Sequence, residues 1–223
     1  CYTLTAKAFE LAERFRCPVF VLTDKEVVMT LTTVDVAAYP QVRPAERVLA
    51  GSGAPYRYEP ADDVAPLRIY GGDDPVRFTG STHDERAFIT KDASTVDALN
   101  RHLAAKIEMH LDEIELVDVD LEAGAETLVV GYGVTAGAVR AAVVTARRSG
   151  RAVSSLVVQS LWPVPERALD EALDGVETVV VPELNLGQYR REVERLAAGR
   201  RVIGINRVDG ELIAPEAIVE AIS

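Results

Sequence analysis

The sequence predicts an α/β protein whose main domain is a parallel sheet covered by helices on both faces. Two observations support this fold class. From residue 126 onward, short apolar strands alternate repeatedly with amphipathic helices, which is the pattern of parallel strands joined by helical crossovers. The strands are almost wholly apolar, as expected for strands buried on both faces. We place this complete domain at residues 118–223.

The first element is a predicted amphipathic helix that ends near Pro18. The apolar run at residues 19–22 then predicts a short strand buried on both faces. We interpret residues 1–50 as the C-terminal tail of another α/β domain. Because the sequence opens without Met inside a helix that cannot bury its apolar face alone, we expect an upstream domain beyond residue 1. The helix is indicated by apolar residues at helical spacing: Leu4, Ala8, Leu11 and Phe15.

Residues 51–117 predict an irregular connector followed by a helix that bridges two domains. Prolines and a Gly-Gly pair interrupt any periodicity up to about residue 75. A helical pattern then runs from Asp92 to Leu116, and Asp92 or Ser94 is the expected cap. Its predicted apolar face consists of Val96, Leu99, Leu103, Ile107 and Leu111.

The elements of the main domain follow from periodicity and helix capping. Strands are predicted at residues 127–130, 153–158, 176–181 and 202–205. Helices are predicted at 135–149, 166–173, 185–199 and 215–222. We expect Thr135 and Asn185 to cap two of these helices, and Pro215 to occupy the first turn of the last one.

A glycine-rich turn follows the first strand of this domain and opens a helix. Dinucleotide binding is one interpretation of Gly131, Gly133 and Gly137, but their spacing differs from the dinucleotide fingerprint. No acidic residue clearly ends the second strand, where a ribose would need one. We therefore interpret the glycines as the requirement of a tight turn.

Composition excludes several classes of function. The net charge of −11 and the isoelectric point near 4.8 argue against a nucleic-acid partner. Cys1 and Cys17 are too few for a metal knuckle, so ligands of any iron–sulfur cluster are expected on another chain. No apolar run approaches the roughly 20 residues of a membrane span, and no leader pattern is present. We expect a cytoplasmic protein.

Two loops of the main domain are candidate contact surfaces. Trp162 follows a strand within a Trp-Pro-Val-Pro segment, which is either a stiff strand exit or a subunit contact. Glu183, Asn185 and Gln188 surround a helix start whose free N–H groups favour an anion or a partner's carboxylate. Asn185 is also explained as a helix cap alone, so both interpretations stay open.

A third loop, residues 79–85, holds the most reactive side chains of the sequence. His83 lies beside Asp84 and Glu85, and such residues can form an acid–base set. Neighbours on an extended backbone point to opposite sides, however, which disfavours a shared proton relay. We find no metal-ligand set and no defensible nucleophile–base arrangement.

Several segments together resemble the α subunit of the 2-oxoacid:ferredoxin oxidoreductases, closest to the 2-oxoglutarate type. The segments span residues 8–19 (AFELAERFRCPV), 78–85 (FTGSTHDE), 160–165 (SLWPVP), 185–188 (NLGQ) and 206–213 (NRVDGELI). Two departures concern Val164, where Phe is commoner, and Ser81-Thr82, which replace a more usual Leu-Glu. The second departure leaves the choice of 2-oxoacid open.

The resemblance implies a thiamine-dependent enzyme that converts a 2-oxoacid, coenzyme A and oxidised ferredoxin to acyl-CoA, carbon dioxide and reduced ferredoxin. Residues 1–50 would end its thiamine pyrimidine-binding domain, and residues 118–223 would form its transketolase C-terminal-like domain. Catalytic residues would lie upstream of residue 1. Thiamine diphosphate, Mg²⁺ and an iron–sulfur cluster would belong to the whole enzyme, with the diphosphate, the metal and the cluster on the β subunit and no cofactor bound by this chain alone.

The same resemblance implies a hetero-oligomer with the β subunit, which meets ferredoxin and coenzyme A as a complex. This chain would supply subunit contacts and active-site walls, through His83, Asp84, Glu85, Trp162, Glu183, Asn185 and Gln188, and would be inactive by itself. Two alternatives stay open. One is a non-catalytic assembly module, and the other is the C-terminal domain of a transketolase or a 2-oxoacid dehydrogenase component.

Overall fold

The computed structural model describes residues 1–39, 41–43, 45–59, 63–73 and 75–222. The chain divides into two compact units. The first unit comprises Cys1–Leu22 and Leu31–Leu111, and the second comprises Thr23–Thr30 and Asp112–Ser223. The three domains expected from the sequence stay a prediction.

The helices are α1 Tyr2–Phe15, α2 Lys25–Met29, α3 Ala93–Glu108, α4 Leu111–Ile114, α5 Thr135–Arg148, α6 Glu166–Ala172, α7 Gln188–Leu196 and α8 Pro215–Ala221, with a short 3₁₀ turn at Val36–Ala38. The strands are β1 Val117–Asp120, β2 Thr127–Tyr132, β3 Val153–Val158, β4 Thr178–Glu183 and β5 Arg201–Asn206.

Helix α1 forms as predicted and ends where Arg16 adopts a left-handed conformation, with φ of 47°. Leu11 and Phe15 are buried on its inner face. The strand expected at residues 19–22 is absent, and this prediction was wrong. Phe20 and Leu22 are 80% and 75% exposed. An apolar run becomes a strand only when a neighbouring strand completes its hydrogen bonds, and no described strand pairs with this segment.

The connector is irregular as expected in its described parts, and Pro40, Pro44 and Pro60 lie outside the described residues. Asp92 caps α3, since its Oδ1 accepts a hydrogen bond of 2.8 Å from the Thr95 N–H. Helix α3 ends at Glu108 rather than near Leu116, because a turn at residues 109 and 110 separates it from the short helix α4.

The buried face of α3 differs from the predicted one. His102 and Lys106 are buried, while Leu103 is 46% exposed. The Lys106 Nζ donates a hydrogen bond of 3.0 Å to the carbonyl oxygen of Phe15, the last residue of α1. A cation at this position satisfies an unpaired helix carbonyl, and burial lowers the pKa of the lysine. Apolar periodicity cannot reveal such a buried polar contact.

The second unit is built on a five-stranded sheet with the order β1-β3-β2-β4-β5. Strands β2 to β5 are parallel, as predicted. The edge strand β1 pairs antiparallel to β3, from Val117 opposite Val158 to Asp120 opposite Ser155, so the sheet is mixed. The sequence predicted a purely parallel sheet, and this antiparallel edge strand shows that the prediction was wrong at β1.

Helices cover both faces of the sheet, which confirms the predicted architecture. One face packs against α6 and α7, and the other against α5 and α8. The first layer is centred on Leu169, Leu173 and Val193, and the second on Val139, Val143 and Ile218. All six residues of β3 are buried, as expected for a strand near the centre of the sheet. Within the described residues, no helix is long and apolar enough to cross a membrane.

Candidate functional site

The candidate loops of the second unit all follow parallel strands. Trp162 lies after β3, and the Asn185–Gln188 turn lies between β4 and α7. The carboxyl ends of parallel strands meet at one edge of a sheet, which is where α/β domains gather their functional loops. The structure therefore places these loops along the same sheet edge. The loop of residues 79–85 belongs to the first unit and is described separately.

Glu183 ends β4 and is almost completely buried, at 1% exposure. Its Oε2 accepts hydrogen bonds of 3.0 Å from the Tyr132 hydroxyl and 3.0 Å from the Tyr189 N–H. Its Oε1 accepts a third, of 3.1 Å, from the Arg190 N–H. The carboxylate thus faces the positive end of α7, which compensates for its burial.

Asn185 completes the same helix start. Its Oδ1 accepts hydrogen bonds from the N–H groups of Gly187, at 2.8 Å, and Gln188, at 3.1 Å. Its Nδ2 donates to the Tyr132 hydroxyl at 2.6 Å. The cap position belongs to Gly187, whose φ of 91° suits a residue without Cβ, while Asn185 supplies the capping oxygen.

These contacts correct the prediction of an open anion site at this helix start. The N–H groups of residues 187–190 already donate to Asn185 or Glu183. No N–H group of this first turn remains for an external anion. The side chain of Gln188 is exposed. The backbone N–H groups of this turn serve only its own structure, so side chains around the turn must make any contact with a ligand or partner.

Tyr132 joins Glu183 and Asn185 and stays protonated. Burial, followed by the adjacent Glu183 carboxylate, raises its pKa above the ordinary value of tyrosine. The hydroxyl therefore donates to Glu183 while it accepts from Asn185. The ring centroid of Tyr189 lies 5.2 Å from that of Tyr132, and its buried hydroxyl has no hydrogen-bond partner among the described residues. Tyr132 was not identified from the sequence, because only the pairing of β2 with β4 brings it here.

The glycine-rich turn after β2 is a tight turn, as interpreted from the sequence. A Cβ on Gly131 would lie 2.7 Å from the Val139 side chain, and Gly133 has a φ of 56°. The helix start is occupied by Asp24, whose Oδ2 accepts a hydrogen bond of 2.7 Å from the Val134 N–H. A Cβ on Gly133 would lie 2.5 Å from the same oxygen. A carboxylate of the chain thus sits where a bound phosphate would approach this turn.

The sequence did not predict this role of Asp24. Asp24 stands at the cap position of α2, yet its side chain makes no capping bond there. The cap predicted for α5 was wrong. Thr135 is the first residue of the helix, and its hydroxyl donates a hydrogen bond of 2.6 Å to the Tyr132 carbonyl. The contact between Asp24 and Val134 joins residues 110 positions apart, so no local sequence pattern predicts it.

Trp162 is 78% exposed in the loop that follows β3. The next residues turn back into the fold, since Val164 and Pro165 are buried before α6 begins. A large exposed aromatic side chain on a fixed loop is a feature of protein interfaces. The subunit contact suggested for Trp162 stays a prediction.

His83, Asp84 and Glu85 each bind a different partner rather than one another. The His83 Nδ1 lies 2.6 Å from the Ser81 carbonyl oxygen and therefore donates to it, which leaves Nε2 as an acceptor in the neutral ring. Asp84 Oδ1 accepts from the N–H groups of Arg86 and Phe88, both at 2.9 Å. No hydrogen bond joins the three side chains within the described residues, so no acid–base relay is formed.

The same loop lines a small cavity. Glu85 pairs with Arg57 at 3.1 Å, and the Tyr56 ring packs 4.0 Å from the His83 ring, measured between centroids. The cavity has a volume of about 180 Å³ and is also lined by Leu99 of α3. The Nε2 of His83 is closed off from solvent and has no partner among the described residues. These contacts fix the shape of the loop, and they do not arrange its side chains for a reaction.

The donor chemistry of the described residues does not fit a metal cofactor. Across the part of the chain that the structure describes, no three His, Cys, Asp or Glu residues come together as a ligand set. Cys1 is exposed, Cys17 is half-buried, and both are free. Neither Mg²⁺ nor an iron–sulfur cluster is matched by these residues.

Part of the chain is similar to a known protein family. Residues 125–218 match the family model of pyruvate:ferredoxin oxidoreductase core domain II. The matched segment includes strands β2 to β5, the glycine turn and the Asn185 turn described above.

The similarity extends over the whole chain to KorA subunits of 2-oxoglutarate synthases, which agrees with the resemblance inferred from the motifs. The chain is 32% identical over its full length to 2-oxoglutarate synthase subunit KorA of Methanothermobacter thermautotrophicus and covers 60% of that protein. It is 32% identical over 99% of its length to the KorA subunit of Methanocaldococcus jannaschii, again covering 60%. It also matches the ketoisovalerate oxidoreductase subunit VorB of M. thermautotrophicus, at 29% identity and 55% coverage of that protein.

A solved structure has the same fold. The 2-oxoglutarate:ferredoxin oxidoreductase from Magnetococcus marinus, with 2-oxoglutarate, coenzyme A and succinyl-CoA bound, superimposes with a TM-score of 0.82 over 96% of this chain. Sequence identity is 24%, and 38% of that chain is covered. The chain thus spans about three fifths of the curated relatives it matches and less of this structure.

Proposed function

We propose that this chain is part of the α subunit of a thiamine-dependent 2-oxoacid:ferredoxin oxidoreductase of the 2-oxoglutarate type. The observation that carries the proposal is similarity along the entire chain to KorA subunits, combined with the fold of the M. marinus enzyme. The reaction is the conversion of a 2-oxoacid, coenzyme A and oxidised ferredoxin to acyl-CoA, carbon dioxide and reduced ferredoxin. Thiamine diphosphate supplies the carbanion chemistry when bound.

In this proposal, the chain positions loops at the active site and encloses that site. Glu183, Asn185 and Tyr132 hold the loop after β4 rigid, and Asp24 closes the turn after β2. In the proposed enzyme, Mg²⁺ and an iron–sulfur cluster are bound by the β subunit. The exposed loops with Trp162 and His83–Glu85 then serve as active-site walls or contacts with the β subunit.

Residues 1–50 fit the same proposal. We propose that they end the thiamine pyrimidine-binding domain of the α subunit. The exposed apolar side chains of residues 19–22 then contact other parts of the enzyme.

Reduction of a viologen dye by the complete complex tests the proposal. The complete α and β chains are assayed with coenzyme A and one of three acids: 2-oxoglutarate, pyruvate or 2-oxoisovalerate. We expect dye reduction that requires coenzyme A and is fastest with 2-oxoglutarate. Preference for 2-oxoisovalerate keeps the enzyme class but changes the substrate, whereas absence of turnover with all three acids contradicts the proposal.

A non-catalytic assembly module is the second candidate. The observation that favours it is the number of side chains at the sheet edge that serve structure alone, such as Glu183 and Asn185. The same assay separates the candidates, because an assembly module leaves turnover unchanged when it is omitted from a mixture of the other subunits.

A further inference from the structure

The guanidinium of Arg190 lies over two glycines at the carboxyl end of the sheet. A Cβ on Gly204 of β5 would collide with the Nη1 and Cδ atoms of Arg190. A Cβ on Gly187 would lie 3.3 Å from Nη2. The strand and the turn thus both lack a side chain where the guanidinium rests, which leaves a slot for it.

Arg190 is held in this slot from both sides. Its Nη1 donates a hydrogen bond of 3.4 Å to Asn206 Oδ1, and its Nε forms an ion pair of 3.1 Å with Glu194 Oε1 that lacks the geometry of a hydrogen bond. Asn206 in turn donates from Nδ2 to the Asn185 carbonyl oxygen at 3.1 Å. The side chain is therefore fixed relative to β5, α7 and the turn that connects β4 to α7.

The fixed guanidinium still has unused donors. Its Nη2 has no hydrogen-bond partner among the described residues, and the side chain is 31% exposed. A planar guanidinium that is already immobilised loses little rotamer entropy when it binds a carboxylate. Since the N–H groups at the start of α7 are all used internally, Arg190 is the donor that this turn presents outward.

Exposed apolar side chains lie on the two loops that adjoin the partners of Arg190. Leu186, directly before Gly187, is 70% exposed. Val208, two residues after Asn206, is 65% exposed. An arginine fixed between two loops that carry exposed apolar side chains has the composition of an interface hot spot.

We propose that Arg190 docks an Asp or Glu carboxylate of the partner subunit, with apolar side chains of that subunit packed on Leu186 and Val208. The inference rests on the proposed function, because it takes the chain to work within a hetero-oligomer. The carboxylate accepts from the Nη2 edge, and Gly204 and Gly187 are required because they leave room for the guanidinium.

Calorimetry of the complete α subunit with the β subunit tests this contact. Arg190→Ala removes the donor, whereas Gly204→Ala keeps the charge but displaces it. We expect each to weaken binding at least about 10-fold, with Arg190→Lys intermediate because an ammonium lacks the planar fork. The matched control is Arg191→Ala, an exposed arginine on the same helix, which should stay within about 2-fold of wild type.

Melting temperatures of all variants are measured alongside, so that a loss of folding is recognised and Gly204→Ala and Arg190→Lys carry the test if Arg190→Ala unfolds. If the wild-type chain binds and these variants bind equally well, the inference is overturned while the proposed function stands. If the complete wild-type α subunit fails to bind the β subunit, both fall. If the α subunit alone binds free 2-oxoglutarate and Arg190→Ala abolishes that binding, Arg190 binds a small carboxylic acid instead of a partner's side chain, and the inference is overturned.

Discussion

At the scale of single residues, the centre of the site is a buried charge that secondary-structure patterns do not reveal. Glu183 was expected to lie near an exposed helix start, yet it is buried and accepts three hydrogen bonds. The sequence shows an acidic residue after an apolar strand and nothing more. Its partner Tyr132 lies 51 positions away and meets it only through the sheet.

Removing the Glu183 carboxylate should be costly. Glu183→Ala leaves the N–H groups of Tyr189 and Arg190 and the Tyr132 hydroxyl without their acceptor, so we expect the free energy of unfolding to fall by roughly 2–4 kcal/mol. Tyr132→Phe removes one of these bonds and should cost about 1 kcal/mol. Urea denaturation measures both. Glu192→Gln, an exposed change on the same helix, serves as control, and an equal loss there would contradict this account.

Glu115 gives a second prediction at this scale, concerning pH. Its side chain is 3% exposed, Oε2 lacks a hydrogen-bond partner among the described residues, and Arg167 lies 3.9 Å away. Burial, together with the nearby carboxylates of Glu166 and Glu171, raises the pKa of Glu115 above its ordinary value. The unfolded chain therefore loses this proton more readily than the folded one, so the contribution of Glu115 to stability falls as pH rises from the unfolded pKa through the folded pKa.

Glu115→Gln cannot ionise and tests that prediction. We expect the variant to gain stability relative to wild type as pH rises through this window, with the difference smallest at acid pH. Thermal denaturation across the range measures it. The matched control is Glu126→Gln, an exposed glutamate in the same unit, and a pH-independent difference for Glu115→Gln would count against the buried-carboxylate explanation.

At the scale of elements, prediction succeeded where local pattern and tertiary role agree. Strands β2 to β5 are apolar runs between turn residues, and they form nearly where expected. Strand β1 was missed because its Val-Asp alternation is short and directly follows a helical pattern. The apolar run at 19–22 was misread for the opposite reason, since composition alone cannot supply a pairing neighbour. Of the candidate site, sequence identified the turn at Asn185 but neither Tyr132 nor Asp24.

The contact of Asp24 with α5 can be tested as an element. Asp24→Ala removes the acceptor at the Val134 N–H, so residues 25–29 should exchange amide hydrogens faster, and stability should fall by about 1 kcal/mol. Asp24→Asn keeps an uncharged oxygen and should lie between. Hydrogen exchange read by mass spectrometry provides the measurement, with Asp35→Asn as control on the 3₁₀ turn. Unchanged exchange at residues 25–29 in Asp24→Ala would mean that other contacts hold α2.

At the scale of the whole molecule, the chain consists of two compact units. In the second unit, the buried carboxylate of Glu183 accepts hydrogen bonds from the first N–H groups of α7, and in the first unit the side chains of residues 83–85 each bind local partners. The enzyme class was predicted from the resemblance of several segments to a known family, because periodicity and residue spacing indicate only the fold.

Isothermal calorimetry with thiamine diphosphate and Mg²⁺ measures whether this chain binds the coenzyme by itself. We propose that the chain supports and lines a thiamine-dependent site while other parts of the enzyme bind the coenzyme. We therefore expect no saturable heat when the coenzyme is titrated into the chain alone, and saturable binding by the complete complex of α and β subunits under the same conditions. Tight binding of thiamine diphosphate by the isolated chain would contradict it.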